Sequence, residues 1–197
     1  MAVVACAALS RDVRLAAAQA PTAVELHTLP AQLHNRPAAI PAAVGSLARR
    51  LLAEGKDVVV AYADCGTYGR LDDLCAELGI ERLPGLHCYD LVAGGEAVAA
   101  LLEEEPGTYL LTDFLAQAFE RLVVRPLGLD RHPELAADYF AHYRRAVWLA
   151  ERPTAAIERA AARAAARLGL PLERRDVGVR RARAAVVRLL SSGRRAP

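Results

Sequence analysis

VVVAYADCGTYG, residues 58–69, begins as a run of β-branched and small apolar residues and ends in Asp64, Cys65, Gly66, Thr67, Tyr68 and Gly69. A short apolar run bounded by polar residues marks a strand buried on both faces, as in the middle of a parallel sheet. The flanking segments have a different period. Upstream, PAAIPAAVGSLARRLLAEG (37–55) reads as a helix that opens near Pro37 and closes at Gly55. Downstream, RLDDLCAELGI (70–80) reads as a short amphipathic helix ended by Gly79.

The alternation continues outward. AVVACA (2–7), AVELHTL (23–29), IERLPGLHCY (80–89), TYLLTDF (108–114), AVWLAE (146–151) and PLERRDVG (171–178) contain strand patterns. Helix patterns separate them: LSRDVRLAAAQA, AVAALLEEE, FLAQAFERLVV, PELAADYFAHYRRA and TAAIERAAARAAARLGLP. Strands separated by helices pair in parallel through right-handed crossovers. The expected fold class is α/β, with a doubly wound, mainly parallel sheet of five to seven strands and helices on both faces, a Rossmann-like three-layer sandwich. One domain is expected over residues 1–178, followed by a basic C-terminal helix and frayed tail over 179–197.

The 197-residue chain is 54% hydrophobic and 24% charged, which argues against disorder. No apolar run reaches the ~18 residues needed to span a bilayer. MAVVACAALSRDVRL lacks a basic lead-in and reads as a first strand, not a signal peptide, so a cytoplasmic location without membrane contact is expected. The net charge of +2 hides an asymmetry: from Glu151 onward there are 12 arginines and 4 acids. Those arginines lie on helix patterns without interleaved aromatics, which predicts a solvated face and no nucleic-acid partner.

Ligands of open α/β sheets sit beyond the carboxyl ends of the strands. The first strand delivers Cys6 there. The second leads to His34, Asn35 and Arg36. The third gives Asp64, Cys65, Gly66 and Thr67, the fourth His87, Cys88 and Tyr89, and the fifth Thr112 and Asp113. In a reducing compartment, cysteines are buried hydrophobes, metal ligands or reactive thiols. Cys6, Cys65 and Cys88 at three exits could form a ligand triad for zinc or an iron–sulfur cluster. Cys75, inside a helix pattern, reads as core.

Other roles stay open. Gly66 and Gly69 either permit a tight turn or let amides approach an anion. No GxGxxG or GxxxxGK[ST] is present. Arg36 either clamps a carboxylate or phosphate or anchors its loop. Asp113 is a helix cap or a site carboxylate. Arg131 and His132, in LDRHPEL, start a helix, cover the site or contact a second subunit.

LHNRP, DCGTYGRLD, LHCYD, GTYLLTDFL and GLDRHPEL together resemble the family catalogued as domain of unknown function 1638. The similarity runs from about Cys6 to Pro171 and includes Cys65-Gly66, His87-Cys88-Tyr89 and Arg131 to Leu135. It implies no settled activity. Members stand near corrinoid-dependent methyl-transfer systems, which implies one-carbon or methylamine metabolism by association.

The expectation is therefore a protein that holds a metal through Cys6, Cys65 and Cys88. His87, His34 or Asp113 would serve as general acid or base. Asn35, Arg36, Gly66, Thr67, Tyr89, Arg131 and His132 would bind a small anionic substrate. The alternatives are a non-catalytic accessory module that binds a corrinoid or a methyltransferase component, and metal-free catalysis with Cys65 as nucleophile.

Overall fold

The computed structural model describes residues 1–193. The chain is α/β, and every strand pairing is parallel. It divides into two compact units, one formed by Met1–Leu91 with the chain from Arg180 onward and the other by Val92–Val179.

The first unit runs β1 (Ala2–Cys6), α1 (Ser10–Ala17), β2 (Glu25–Leu29), α2 (Ile40–Ala53), β3 (Val58–Ala61), α3 (Arg70–Leu78) and β4 (Glu81–Arg82), leading into α4 (Cys88–Ala93). Its sheet has the order β2-β1-β3-β4. The two inner strands are the wholly apolar ones, and every residue of β1 and β3 is buried. β2 lies at an edge, which accommodates its polar Glu25 and His27.

The second unit runs α5 (Gly95–Glu104), β5 (Thr108–Thr112), α6 (Asp113–Phe119), α7 (Ala136–Tyr139), β6 (Arg145–Ala150), α8 (Ala155–Leu168) and β7 (Leu172–Asp176), with sheet order β5-β6-β7. Trp148, Leu111, Phe119 and Phe140 fill its core against the alanine face of α8. Arg145 enters the sheet buried, donating to the Thr108 hydroxyl at 2.9 Å and facing Glu173 at 3.3 Å.

The chain then enters α9 (Arg180–Ser192), which packs on α1 and gives Ala185, Val186, Leu189 and Leu190 to the core of the first unit. The expected fray at residues 194–197 lies outside the described residues.

The single sheet of five to seven strands is corrected: the seven strands among the described residues form two sheets, of four and three. Periodicity reveals a strand but not its partner, and β4 is only two residues long. PELAADYFAHYRRA is helical only in its first half, as a 3-10 turn over Pro133–Leu135 and an α-helix over Ala136–Tyr139, and its last two residues already enter β6. Among the described residues no helix is long and apolar enough to cross a membrane.

Leu190, 5% exposed on α9, tests the attachment of that helix. Leu190→Ala is expected to cost about 2–4 kcal/mol in urea denaturation, against ~0.5 or less for Arg188→Ala on the exposed face.

Candidate functional site

In the first sheet the chain steps from β1 to β2 on one side and then returns to β3 on the other. The crevice beyond the carboxyl ends of β1 and β3 is thus the point where strand order reverses, the usual ligand position in such sheets. Cys6 ends β1. Past β3, the main chain stays extended against the 83–86 segment, with Asp64 N–H donating to Gly85 O at 3.0 Å and Cys65 N–H to Leu86 O at 2.7 Å. Cys65 is thereby held at the crevice.

The turn that follows is organised by a carboxylate. Asp64 accepts from the Thr67 hydroxyl at 2.6 Å, from Gly69 N–H at 2.9 Å and from Tyr68 N–H at 3.1 Å. Burial works to raise its pKa, but these donors and nearby Arg82 outweigh it, and the carboxyl lies below its ordinary value. Cys65 and Tyr68 both adopt φ of 54°, the left-handed region that favours glycine. Gly66 packs toward Pro37, so the loops after β2 and β3 meet.

Cys6 Sγ lies 3.9 Å from His34 Nδ1 and accepts from Ala8 N–H at 3.3 Å. The main-chain N–H groups of Cys88 and Ala63 lie near Cys65 Sγ and work to lower its pKa. Burial pushes both thiols up, Cys6 to about 11 and Cys65 to about 12, with Cys6 also raising Cys65. His34 Nδ1 lies 3.1 Å from Ala31 O, which assigns the proton to Nδ1 and leaves Nε2 as the acceptor. Burial lowers the His34 pKa, so the ring is neutral at pH 7.

Tyr62 is fully buried and its ring stacks on His34, centroids 6.1 Å apart and planes 11° from parallel. Its hydroxyl interacts with Cys6, and burial followed by both thiols raises its pKa. Apart from the Cys6 sulfur, a weak acceptor that the phenol faces, neither Tyr62 Oη nor His34 Nε2 meets a hydrogen-bond partner within the protein. Each unsatisfied buried polar atom costs about 1–3 kcal/mol. A phenylalanine would fill the same space without that cost, so the hydroxyl makes Tyr62 a candidate residue that the sequence patterns passed over. The one signal was a phenol in an otherwise aliphatic run.

The crevice thus gathers Cys6, His34, Tyr62 and Cys65, with Cys88 main chain beside Cys65. Cys88 is half-buried at the start of α4. His87 is exposed, in a turn that Asp90 fastens by accepting from Leu86 N–H and His87 N–H. Tyr89 is half-buried, and Asn35 and Arg36 are exposed. Thr67 is buried, and its hydroxyl serves the turn, giving to Asp64 and accepting from Leu71 N–H. Cys75 packs in the core.

Asp113, Arg131 and His132 belong to the second unit. The buried Asp113 carboxylate accepts from Trp148 Nε1 at 2.9 Å and from the main chain of Arg152 at 2.8 Å and Glu151 at 3.3 Å. The cap of α6 is Thr112, which accepts from Leu115 N–H. Arg131 and His132 are exposed, with His132 Nδ1 3.3 Å from Glu134. Among the described residues, no three His, Cys, Asp or Glu side chains are grouped to hold a metal ion as they stand.

The parallel sheets define an α/β protein with a thiol-lined crevice at the point where strand order reverses in the first unit. The chain belongs to the family described as protein of unknown function (DUF1638), whose sequence profile matches residues 28–186. No curated protein and no solved structure matches it. The matched stretch contains every candidate residue except Cys6.

Two outcomes follow. At pH 8 the thiolate fraction of Cys6 is about a hundredfold, and that of Cys65 about a thousandfold, below that of an ordinary cysteine. Iodoacetamide with mass mapping is expected to modify both slowly in the native protein and all four cysteines quickly in guanidinium. Asp64→Ala is expected to cost about 2–4 kcal/mol. Because the folded pKa of Asp64 is depressed, its contribution is complete above its unfolded value of ~4 and is lost as pH falls through the folded value. The wild-type minus Asp64→Ala stability difference should shrink over that acid range in pH-dependent denaturation.

Proposed function

We propose that the chain binds a soft metal ion at the crevice through Cys6, Cys65 and Cys88 and acts there on a small anionic substrate. The observation that carries this is the pair of buried sulfurs, one accepting from Ala8 N–H and the other with the main-chain N–H groups of Cys88 and Ala63 nearby. Such donors stabilise thiolates, while burial alone keeps the sulfurs protonated. A divalent cation resolves that opposition by supplying the missing charge. Loading would require the sulfurs to swing toward one another. The strand order β2-β1-β3-β4, of the doubly wound Rossmann-like kind, supports the location.

Three sulfurs with an open fourth position suit a zinc ion that polarises a bound water or substrate oxygen. His34 is better placed than exposed His87 as general base, since its tautomer leaves Nε2 ready to accept a proton. Arg36, exposed on the adjoining loop, would meet the anionic group. The raised thiol pKa values argue against Cys65 as a free nucleophile.

Anaerobic purification followed by elemental analysis and a visible spectrum tests this. Near one equivalent of zinc without colour is expected, falling at least tenfold in Cys6→Ser and Cys65→Ser but not in Cys75→Ser. A brown, iron-containing protein would make the centre a cluster. A metal-free protein that remains metal-free after incubation with zinc or iron and sulfide overturns the proposal.

A further inference from the structure

Tyr62 Oη and His34 Nε2 have complementary roles. Nδ1–H of His34 is engaged by Ala31 O, so Nε2 is a lone-pair acceptor. Tyr62 supplies an O–H donor. Both atoms are buried without a nitrogen or oxygen partner, on stacked rings beside Cys6, whose sulfur is the one weak acceptor facing the phenol. A carboxylate alone cannot satisfy this pair, because it offers Nε2 no hydrogen. An ammonium cannot either, because it offers Tyr62 no acceptor. A hydroxyl does both: its O–H gives to Nε2 and its oxygen accepts from the phenol.

We propose that His34 and Tyr62 grip the hydroxyl of a small hydroxy acid whose carboxylate faces Arg36. This rests on the crevice being the substrate site of the proposed function and names the class of substrate. Specificity for hydroxy acids over plain carboxylates follows, since an analogue without the hydroxyl leaves two buried polar atoms unpaired.

The test uses the full chain, glycolate and acetate as probes, and calorimetric titration, with metal content measured on the same samples. Wild type is expected to bind glycolate about tenfold or more tighter than acetate. Tyr62→Phe should abolish that preference while keeping the wild-type metal content, and His34→Phe should do the same. Without ligand, Tyr62→Phe is expected to melt at or above the wild-type temperature, because it removes an unpaired hydroxyl. Equal affinity for glycolate and acetate in the wild type overturns the inference, as does a lower melting temperature for Tyr62→Phe, which would mean that a buried water already satisfies the phenol. Metal-free wild type that still prefers glycolate sinks the metal proposal alone. Metal-loaded wild type without the preference sinks the hydroxyl inference alone.

Discussion

The Asp64 carboxylate takes hydrogen bonds from the Thr67 hydroxyl and from Tyr68 N–H and Gly69 N–H, and the geometry of the crevice depends on it. Left-handed backbone at non-glycine residues such as Cys65 and Tyr68 costs about 1–3 kcal/mol each. Charge-assisted hydrogen bonds to one carboxylate are strong enough to hold such a turn. They also decide what the loop is not. Two amides and a hydroxyl that would otherwise cradle a phosphate already surround an internal anion. The glycines serve the turn, and Cys65 is presented at the carboxyl end of β3, near enough to Cys6 for that thiol to raise its pKa.

Burial then sets the chemistry. Cys6, Cys65, Tyr62 and His34 are ionisable, yet the low-dielectric surroundings keep every one of them neutral at pH 7. The edge is rich in donors for sulfur and lone pairs from nitrogen but carries no charge of its own. This is the condition under which a cation or a polar ligand gains most from entering, since each contact replaces a buried group that nothing else satisfies.

The strands, the helix ends at Gly55 and Gly79, and the exits carrying Cys6 and Cys65 were legible because period and punctuation are local properties. Pairing was not, because a strand such as β5 carries no mark of which sheet it joins. Cys6, Cys65 and Asp113 all became candidates because all three stand at strand ends. What distinguishes them is the surroundings of the side chain, which are a tertiary property. Thr67 looked like a substrate ligand for the same reason, although its partner, Asp64, lies only three residues upstream. Tyr62 was passed over because an aromatic residue in a buried strand fits the core pattern; only its unpaired hydroxyl sets it apart.

The contrast between Asp113 and the Tyr62–His34 pair separates architecture from function. Asp113 is buried, but its oxygens meet an indole N–H and two main-chain amides, and in doing so they fasten the end of β6 to the start of α6. Nothing remains for it to bind. Tyr62 Oη and His34 Nε2 are equally removed from water, and the fold gives neither a nitrogen or oxygen partner, only the Cys6 sulfur beside the phenol. Stability alone favours filling such positions with apolar side chains of the same shape. Their presence at the point where strand order reverses is therefore better explained by a partner that comes and goes than by folding.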